Sequence, residues 1–402
     1  MLENILQKAL GEPSVGEKKI GGGYFMKKAS VLWVGLLLSV FFLIPAARAA
    51  DKPPVRIGVI HPVTGQGANV TKSFLEGWYL AEEIVNKEGG ILGGRKIETL
   101  LEDDQCIPAQ SVAAVKKLIY QDKLKVILAS LCSSATIADI PITKEAGVVQ
   151  LVSDSLADSI TEMGHPLLFR TCFSNGMLAD SMSYKIAQKF KVKSIAFYAI
   201  NDDFGRGLVK QTKEIFEKLK TPKVLFEGYF EQNDRDFSAS ITKLKGLKPE
   251  AIYLIARFPQ NAQILNQMDE LGFKPKIFGV ANLVWDDCIH AAGKNAEGVY
   301  GIATWVNELS TPSAKKFLSA YKAKYNMEPP DEVSTSGYTG LMVAAMGIDK
   351  AGTDQDPQKI GDAIRKMTWD APAGPLSFDA KGQGTISAFI VQVRDGKRVV
   401  VK

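Results

Sequence analysis

In Leu131-Cys132-Ser133-Ser134-Ala135-Thr136 a run of hydroxyls follows an apolar strand and opens a helix. Hydroxyl donors and unpaired backbone N–H groups at such a junction form a receptor for a carboxylate or another hydrogen-bond acceptor. Ser133 or Ser134 equally suits plain helix capping, and both readings stay open. Ser153-Asp154-Ser155 occupies the equivalent loop after the next apolar run, as a second donor set or as an ordinary Asx or Ser turn. Phe204, Phe258 and Trp285 all stand in post-strand loops, where an aromatic ring can wall a ligand cleft or belong to the core. Arg257 directly follows an apolar strand, so its guanidinium either forks onto an anionic ligand or sits solvated in its loop.

Other patterns lack the partners their chemistry needs. Gly89-Gly90-Ile91-Leu92-Gly93-Gly94 is glycine-rich, but it lies between a helix and a strand, the wrong context for cradling a phosphate. Asp103-Asp104 and Asp202-Asp203 are paired carboxylates with no neighbouring histidine or metal-ligand spacing to complete an acid–base site. There is no GxSxG elbow, and His61, His165 and His290 are scattered. The expectation is capture of a small molecule rather than its conversion, with no cofactor and no metal.

The elements that would carry these loops alternate. Strands are expected at 55–60, 97–101, 126–129, 148–152, 167–169, 194–199, 224–229, 251–256 and 276–280. Helices are expected at 72–87, 111–120, 177–190, 207–219, 237–244 and 259–271. Repeats of this length imply parallel sheets covered by helices on both faces, an α/β architecture of doubly wound type. In such sheets ligands sit beyond the carboxyl ends of strands. Three helices at 313–325, 333–350 and 357–367 then precede strands at 376–378 and 386–393, so the chain is expected to recross between two lobes rather than build a third domain.

At 402 residues the chain exceeds the usual size of one domain. Residues 1–49 read as a processing segment: Met26-Lys27-Lys28, then an apolar run from Val31 to Ile44, then Pro45-Ala46-Ala47-Arg48-Ala49, with cleavage expected after Ala49. A membrane span takes about 20 apolar residues, more than this run supplies. Met26 is the expected start, with a ribosome-binding sequence encoded at Gly21-Gly22-Gly23. Beyond Ala49 there are 43 Lys and Arg against 41 Asp and Glu, or +2, which gives no reason to expect nucleic acid. Export into an oxidising compartment makes at least one disulfide expected among Cys106, Cys132, Cys172 and Cys288.

Ile57-Gly58-Val59-Ile60-His61-Pro62-Val63-Thr64-Gly65, Glu102-Asp103-Asp104-Gln105-Cys106, Leu131-Cys132-Ser133-Ser134, Phe169-Arg170-Thr171, Asp236-Phe237-Ser238 and Gly374-Pro375-Leu376-Ser377-Phe378-Asp379 resemble the branched-chain amino-acid binding protein family. That is the type I periplasmic solute-binding family, which serves ABC importers. The resemblance runs in the family's order from Val55 almost to the C-terminus. It implies two α/β lobes joined by three crossovers near Ser174, Ala303 and Gly374. The first lobe is then 50–173 with 303–373, the second 174–302 with 374–402, closing by a hinge over the ligand. It also implies a Cys106–Cys132 disulfide and leaves Cys172 and Cys288 open.

Residue by residue, the resemblance puts Ser133 where the ligand carboxylate binds, with Ser134 beside it, and the backbone around Ser155 where further donors stand. Phe204 replaces a wall position usually held by tyrosine, and Arg257 and Phe258 fall in another aromatic segment. Two positions depart from the pattern: Leu156 stands where the family has a threonine hydroxyl, and Ala281 where it has the acid that holds an α-ammonium. A buried ammonium without an anion is costly, so the departure argues against an ordinary amino acid unless Asp154 or Asp286 compensates. The resulting expectation is a periplasmic, monomeric solute-binding subunit that presents an amino acid, carboxylate or amide to an ABC permease. A non-amino-acid carboxylate, amide or aromatic acid ligand is the alternative, as is a sensor of the same fold signalling to a membrane partner.

Overall fold

The computed structural model describes residues 52–401, apart from Gln66. The expected export signal and the Met26 start lie outside the described residues. Five strands, β1 (Val55–His61), β2 (Ile97–Asp103), β3 (Val126–Leu128), β4 (Val149–Val152) and β5 (Leu168–Arg170), form a sheet in the order β2-β1-β3-β4-β5. Every neighbouring pair is parallel. β3 and β4 read Val-Ile-Leu and Val-Gln-Leu-Val because helices cover both faces and each of their residues is buried. The one polar residue there, Gln150, accepts a hydrogen bond from the Thr143 hydroxyl.

A second sheet has seven strands in the order β14-β13-β10-β9-β8-β6-β7. β6 (Ser194–Ile200), β7 (Lys223–Phe230), β8 (Ala251–Ile255), β9 (Lys276–Gly279) and β10 (Tyr300–Ala303) are parallel. β13 (Phe389–Arg394) and β14 (Lys397–Val400) add an antiparallel edge, so this sheet is mixed rather than wholly parallel. A tight turn at Asp395-Gly396, both at positive φ, makes that hairpin. β11 (Thr368–Ala371) and β12 (Gly374–Ser377) form a separate two-stranded ribbon.

Each sheet has its own apolar core, and together they make two lobes. The first core takes in the late helices Pro312–Tyr325, Val333–Ala351 and Pro357–Arg365 through Phe317, Tyr321, Val343 and Ile360. Helices Ala68–Lys87 and Val333–Ala351 approach backbone to backbone. A methyl group on Gly77 would stand 1.7 Å from the Ser334 carbonyl oxygen, and one on Gly337 would stand 2.0 Å from that of Phe74. Glycine at both positions is what lets the returning chain seat against its first helix.

The chain passes from the first core to the second between β5 and the helix Asn175–Tyr184, whose Leu178 and Met182 lie in the second core. It returns after β10, with Trp305 in the first core. Residues 374–384, which the sequence assigns to the second lobe, lie against the first. Leu376 is part of the first core, Phe378 packs edge-on to Phe169, and Gln383 bridges to Arg170 in parallel with β5. Unpaired backbone at the edge of β5 takes up this segment, since Arg170 N–H donates to the Gly382 carbonyl and Gly384 N–H to the Arg170 carbonyl. The chain therefore leaves the first core after Gly384 and not near Gly374.

Candidate functional site

The carboxyl ends of both sheets face one cavity of about 1050 Å³, open solvent at its mouth included. Leu131, Asp154, Leu156 and Thr171 reach it from the loops after β3, β4 and β5. Phe204, Ala281, Asn282 and Trp285 reach it from those after β6 and β9. The first turn of the helix Val333–Ala351 adds Val333, Thr335 and Ser336, preceded by Glu332. Among these lining residues the charged side chains are two carboxylates, Asp154 and Glu332, and none is Lys, Arg or His.

Of the residues singled out from sequence, Leu156, Phe204 and Ala281 line the cavity, while Ser133, Ser134, Ser155, Arg257 and Phe258 do not. Ser133 is buried, and its Oγ accepts from the backbone N–H groups of Leu156 (3.1 Å) and Ala157 (3.2 Å). The hydroxyl thus braces the neighbouring loop. It is not the cap of its helix, since Cys132 holds that position with no side-chain bond. Ser134 is half-buried in that helix's first turn. The Ser155 hydroxyl is turned inward to the Ser130 carbonyl (2.7 Å) and Thr136 Oγ1 (2.7 Å). Satisfying these donors and acceptors internally removes the cost of burying them, and it fixes the backbone that carries Leu156.

Arg257 pairs within its own lobe. Its Nη1 donates to Asp202 Oδ2 at 2.6 Å, and its guanidinium stands 5.0 Å from the centre of the Phe204 ring. Asp202 also accepts from the Gly205 N–H at 2.8 Å as the N-cap of the helix Asp203–Leu219. The pair therefore positions Phe204 on the wall. Phe258 packs against the second core. Asp103, one of the paired carboxylates, accepts from the Val63 N–H at 2.9 Å and holds the loop after β1.

The two acids offered as substitutes for the one absent at Ala281 separate. Asp286 is exposed and borders an outer groove, whereas Asp154 lines the cavity with Oδ2 3.5 Å from Nε2 of the buried His61. His61 Nδ1 shares a 2.6 Å hydrogen bond with Thr71 Oγ1.

Sequence reasoning missed Glu332. It is 6% exposed, and its Oε2 accepts from Trp285 Nε1 at 2.9 Å and faces Arg398 Nη1 at 3.5 Å. Burial pushes its carboxyl up to about 7, against the pull of Arg398. The adjoining Asp331 is raised to about 6 by burial, although Ser73 Oγ donates to it at 2.6 Å. Asp331-Glu332 before an apolar helix reads as ordinary first-turn acidity. The usable signal was two acids in succession at the start of the helix Val333–Ala351, most of whose residues are buried.

Cys106 and Cys132 form a disulfide behind Leu131, and Cys172 and Cys288 are free and buried. Burial pushes the Cys288 thiol up to about 12 and the Cys172 thiol well above its usual range, which disfavours the thiolate at both. The bridge closes a loop of sequence separation 26. Replacing both cysteines by serine is expected to lower the unfolding free energy by roughly 3 kcal/mol. Urea titration checks this, and a loss under about 1 kcal/mol would mean that hydrogen bonds alone hold the loop.

Two α/β lobes, each with its own sheet, closing carboxyl-end loops over a shared apolar cavity define the type I periplasmic binding fold. The chain belongs to the periplasmic binding protein family, whose sequence pattern matches residues 54–398. It is 31% identical over 336 residues to the leucine-, isoleucine-, valine-, threonine- and alanine-binding protein of Pseudomonas aeruginosa, spanning 84% of this chain and 88% of that protein. It superposes on a leucine binding protein from Thermotoga maritima with a TM-score of 0.81 and 26% identity, over 87% of this chain and 98% of the other. A solute binding protein of an ABC transporter from R. palustris, in complex with benzoate, shares the fold with a TM-score of 0.80 at 21% identity, over 87% and 95% of the two chains. Among the described residues no helix is long and apolar enough to cross a membrane.

Proposed function

We propose that this chain is the periplasmic solute-binding subunit of an ABC importer, exported by a cleaved signal peptide and monomeric, and that its ligand is an amino acid with an apolar side chain. The observation that carries the ligand class is the pairing of a largely apolar cavity with carboxylates as its charged lining residues. An ammonium desolvated there meets anions, whereas a free carboxylic acid meets like charge and no cation. Ala281 removes the family's acid from one wall, and Asp154 and Glu332 provide anions on others. Phe204 and Trp285 supply the apolar walls, while the lining hydroxyls of Thr171 and Thr335 are turned to the Val152 and Glu332 carbonyls. Ser133 and Ser155 contribute by bracing the loop behind Leu156.

The relatives that bind leucine and its homologues support this reading. The benzoate complex of a more distant relative makes an aromatic acid the natural comparison. Thermal unfolding of the purified protein with leucine, isoleucine, valine or benzoate tests it. A branched-chain amino acid at a hundred times its Kd is expected to add about 2.7 kcal/mol of stability. Stabilisation by benzoate with none by any amino acid would overturn the assignment.

A further inference from the structure

A buried charge cluster spans the two lobes at one wall of the cavity. Asp331 and Glu332 precede the helix Val333–Ala351 of the first lobe, while Arg398 lies on β14 and Trp285 in the loop after β9, both of the second. Arg398 Nη2 donates to the Pro330 carbonyl at 3.1 Å, so guanidinium and indole both reach across the cleft to the same short segment. Two carboxylates face one guanidinium, whose side chain is 9% exposed. Asp331 takes all three bonds, from Ser73 Oγ and the N–H groups of Val333 and Ser334, at Oδ1, and it is not among the residues that line the cavity. Glu332 does line it, and its Oε1 is buried without a partner. On its outer side Arg398 shares a groove with Asp286, His290, Glu308, Glu328 and Lys397, and inside the cavity the other charged group is Asp154.

We propose that Glu332 is the specificity-determining acid of this protein, receiving the ligand's ammonium at Oε1 while its Oε2 joins the lobes through Trp285 and Arg398. This rests on the amino-acid reading above and names where that reading's positive charge docks. Fully ionised, the cluster carries one uncompensated negative charge, which burial disfavours. In the empty protein a proton supplies the balance, in keeping with the raised carboxyl of Glu332. When an amino acid enters, its ammonium takes that place, the carboxyl oxygen gives its proton to solvent, and the ionised Glu332 holds both the ligand and the opposite lobe. The sign follows: below pH about 7 binding must expel a proton, so Kd rises by up to tenfold per pH unit as pH falls, and it levels off above.

Calorimetric titration with leucine and with 4-methylpentanoate, which is leucine without its ammonium, in buffers of different ionisation enthalpy tests the assignment. The wild-type protein is expected to release protons near pH 7 on binding leucine and to prefer leucine strongly. Glu332→Gln is expected to abolish the release and shrink the preference at least tenfold. Equal weakening of both ligands with the preference intact would reduce Glu332 to a structural tie and overturn the proposal. So would leucine binding without proton release, or a preference lost in Asp154→Asn instead. If the wild-type protein binds no amino acid at all, it is the amino-acid reading itself that fails.

Discussion

Trp285→Ala is expected to weaken leucine binding by two to three orders of magnitude while leaving the fold intact. The indole belongs to the second lobe but packs against the core of the first, lines the cavity and donates from Nε1 to Glu332 Oε2 at 2.9 Å. Truncation removes an aromatic wall that one lobe presses against the other, and it leaves Glu332 Oε2 without the indole donor. Losses of about 3–5 kcal/mol are usual for a large aromatic so placed, and each 1.4 kcal/mol is a factor of ten in Kd. The half-exposed loop position keeps the cost to the isolated second lobe small. Calorimetry gives the affinity and far-ultraviolet dichroism the fold. Trp285→Phe should recover only part of the affinity, since it restores a six-membered aromatic ring without the fused pyrrole ring and its N–H. A loss under tenfold in Trp285→Ala would mean that closure does not depend on this residue.

Arg170→Ala is expected to cost about 4 kcal/mol of stability, the largest effect of any single substitution outside the cavity. Arg170 closes β5, is 1% exposed and uses its whole fork: Nη1 to the Ala157 carbonyl at 2.7 Å, Nε to Gln383 Oε1 at 2.6 Å and Nη2 to Thr161 Oγ1 at 3.3 Å. Removing it opens a large void and leaves buried acceptors unpaired, and either change alone is expensive. It also removes the side-chain tie from β5 to Gln383 Oε1, while the backbone bonds of residue 170 to Gly382 and Gly384 keep the third connection in place. Lysine cannot reproduce the fork, and Arg170→Lys should recover less than half of the loss. Urea unfolding followed by tryptophan fluorescence measures both, and a loss below about 1.5 kcal/mol for Arg170→Ala would show that Gln383 and Thr161 find other partners.

These two residues differ in how far they could be read from the chain. Arg170 lies in one of the segments that carry the family resemblance, and Trp285 stands in the loop after an apolar strand, so the position of each was visible. What each touches was not, because Gln383 is 213 residues from Arg170 and Glu332 is 47 from Trp285. The serines illustrate the same limit from the other side. Their place after a strand was correct, but whether a hydroxyl points into a cavity or back to a neighbouring loop is a rotamer choice made by packing. Ser133 and Ser155 both point inward because Leu156, Ala157 and Ser130 offer buried backbone partners there. Arg257 follows suit, since Asp202, already fixed as an N-cap, is the anion within its reach.

The alternation of strand and helix follows from the order of residues alone, because apolar periodicity and the glycine-marked turns are local properties, while the class of protein was legible through the segments that resemble a known family. The helix Ala68–Lys87 starts before its expected Lys72 because Thr71, which looks solvated, is tied to the Pro62 and Gly67 carbonyls. Residues 374–384 lie against the first core because sheet-edge pairing does not depend on distance along the chain. The charge of the cavity was legible only in part: Asp154, from a loop in the first half of the chain, was among the acids the sequence offered, and Glu332, from a helix start in the last quarter, was not. The hydroxyl run at Leu131–Thr136 therefore marks the right end of the right sheet, while the groups that face the cavity there were decided only when the two lobes folded against each other.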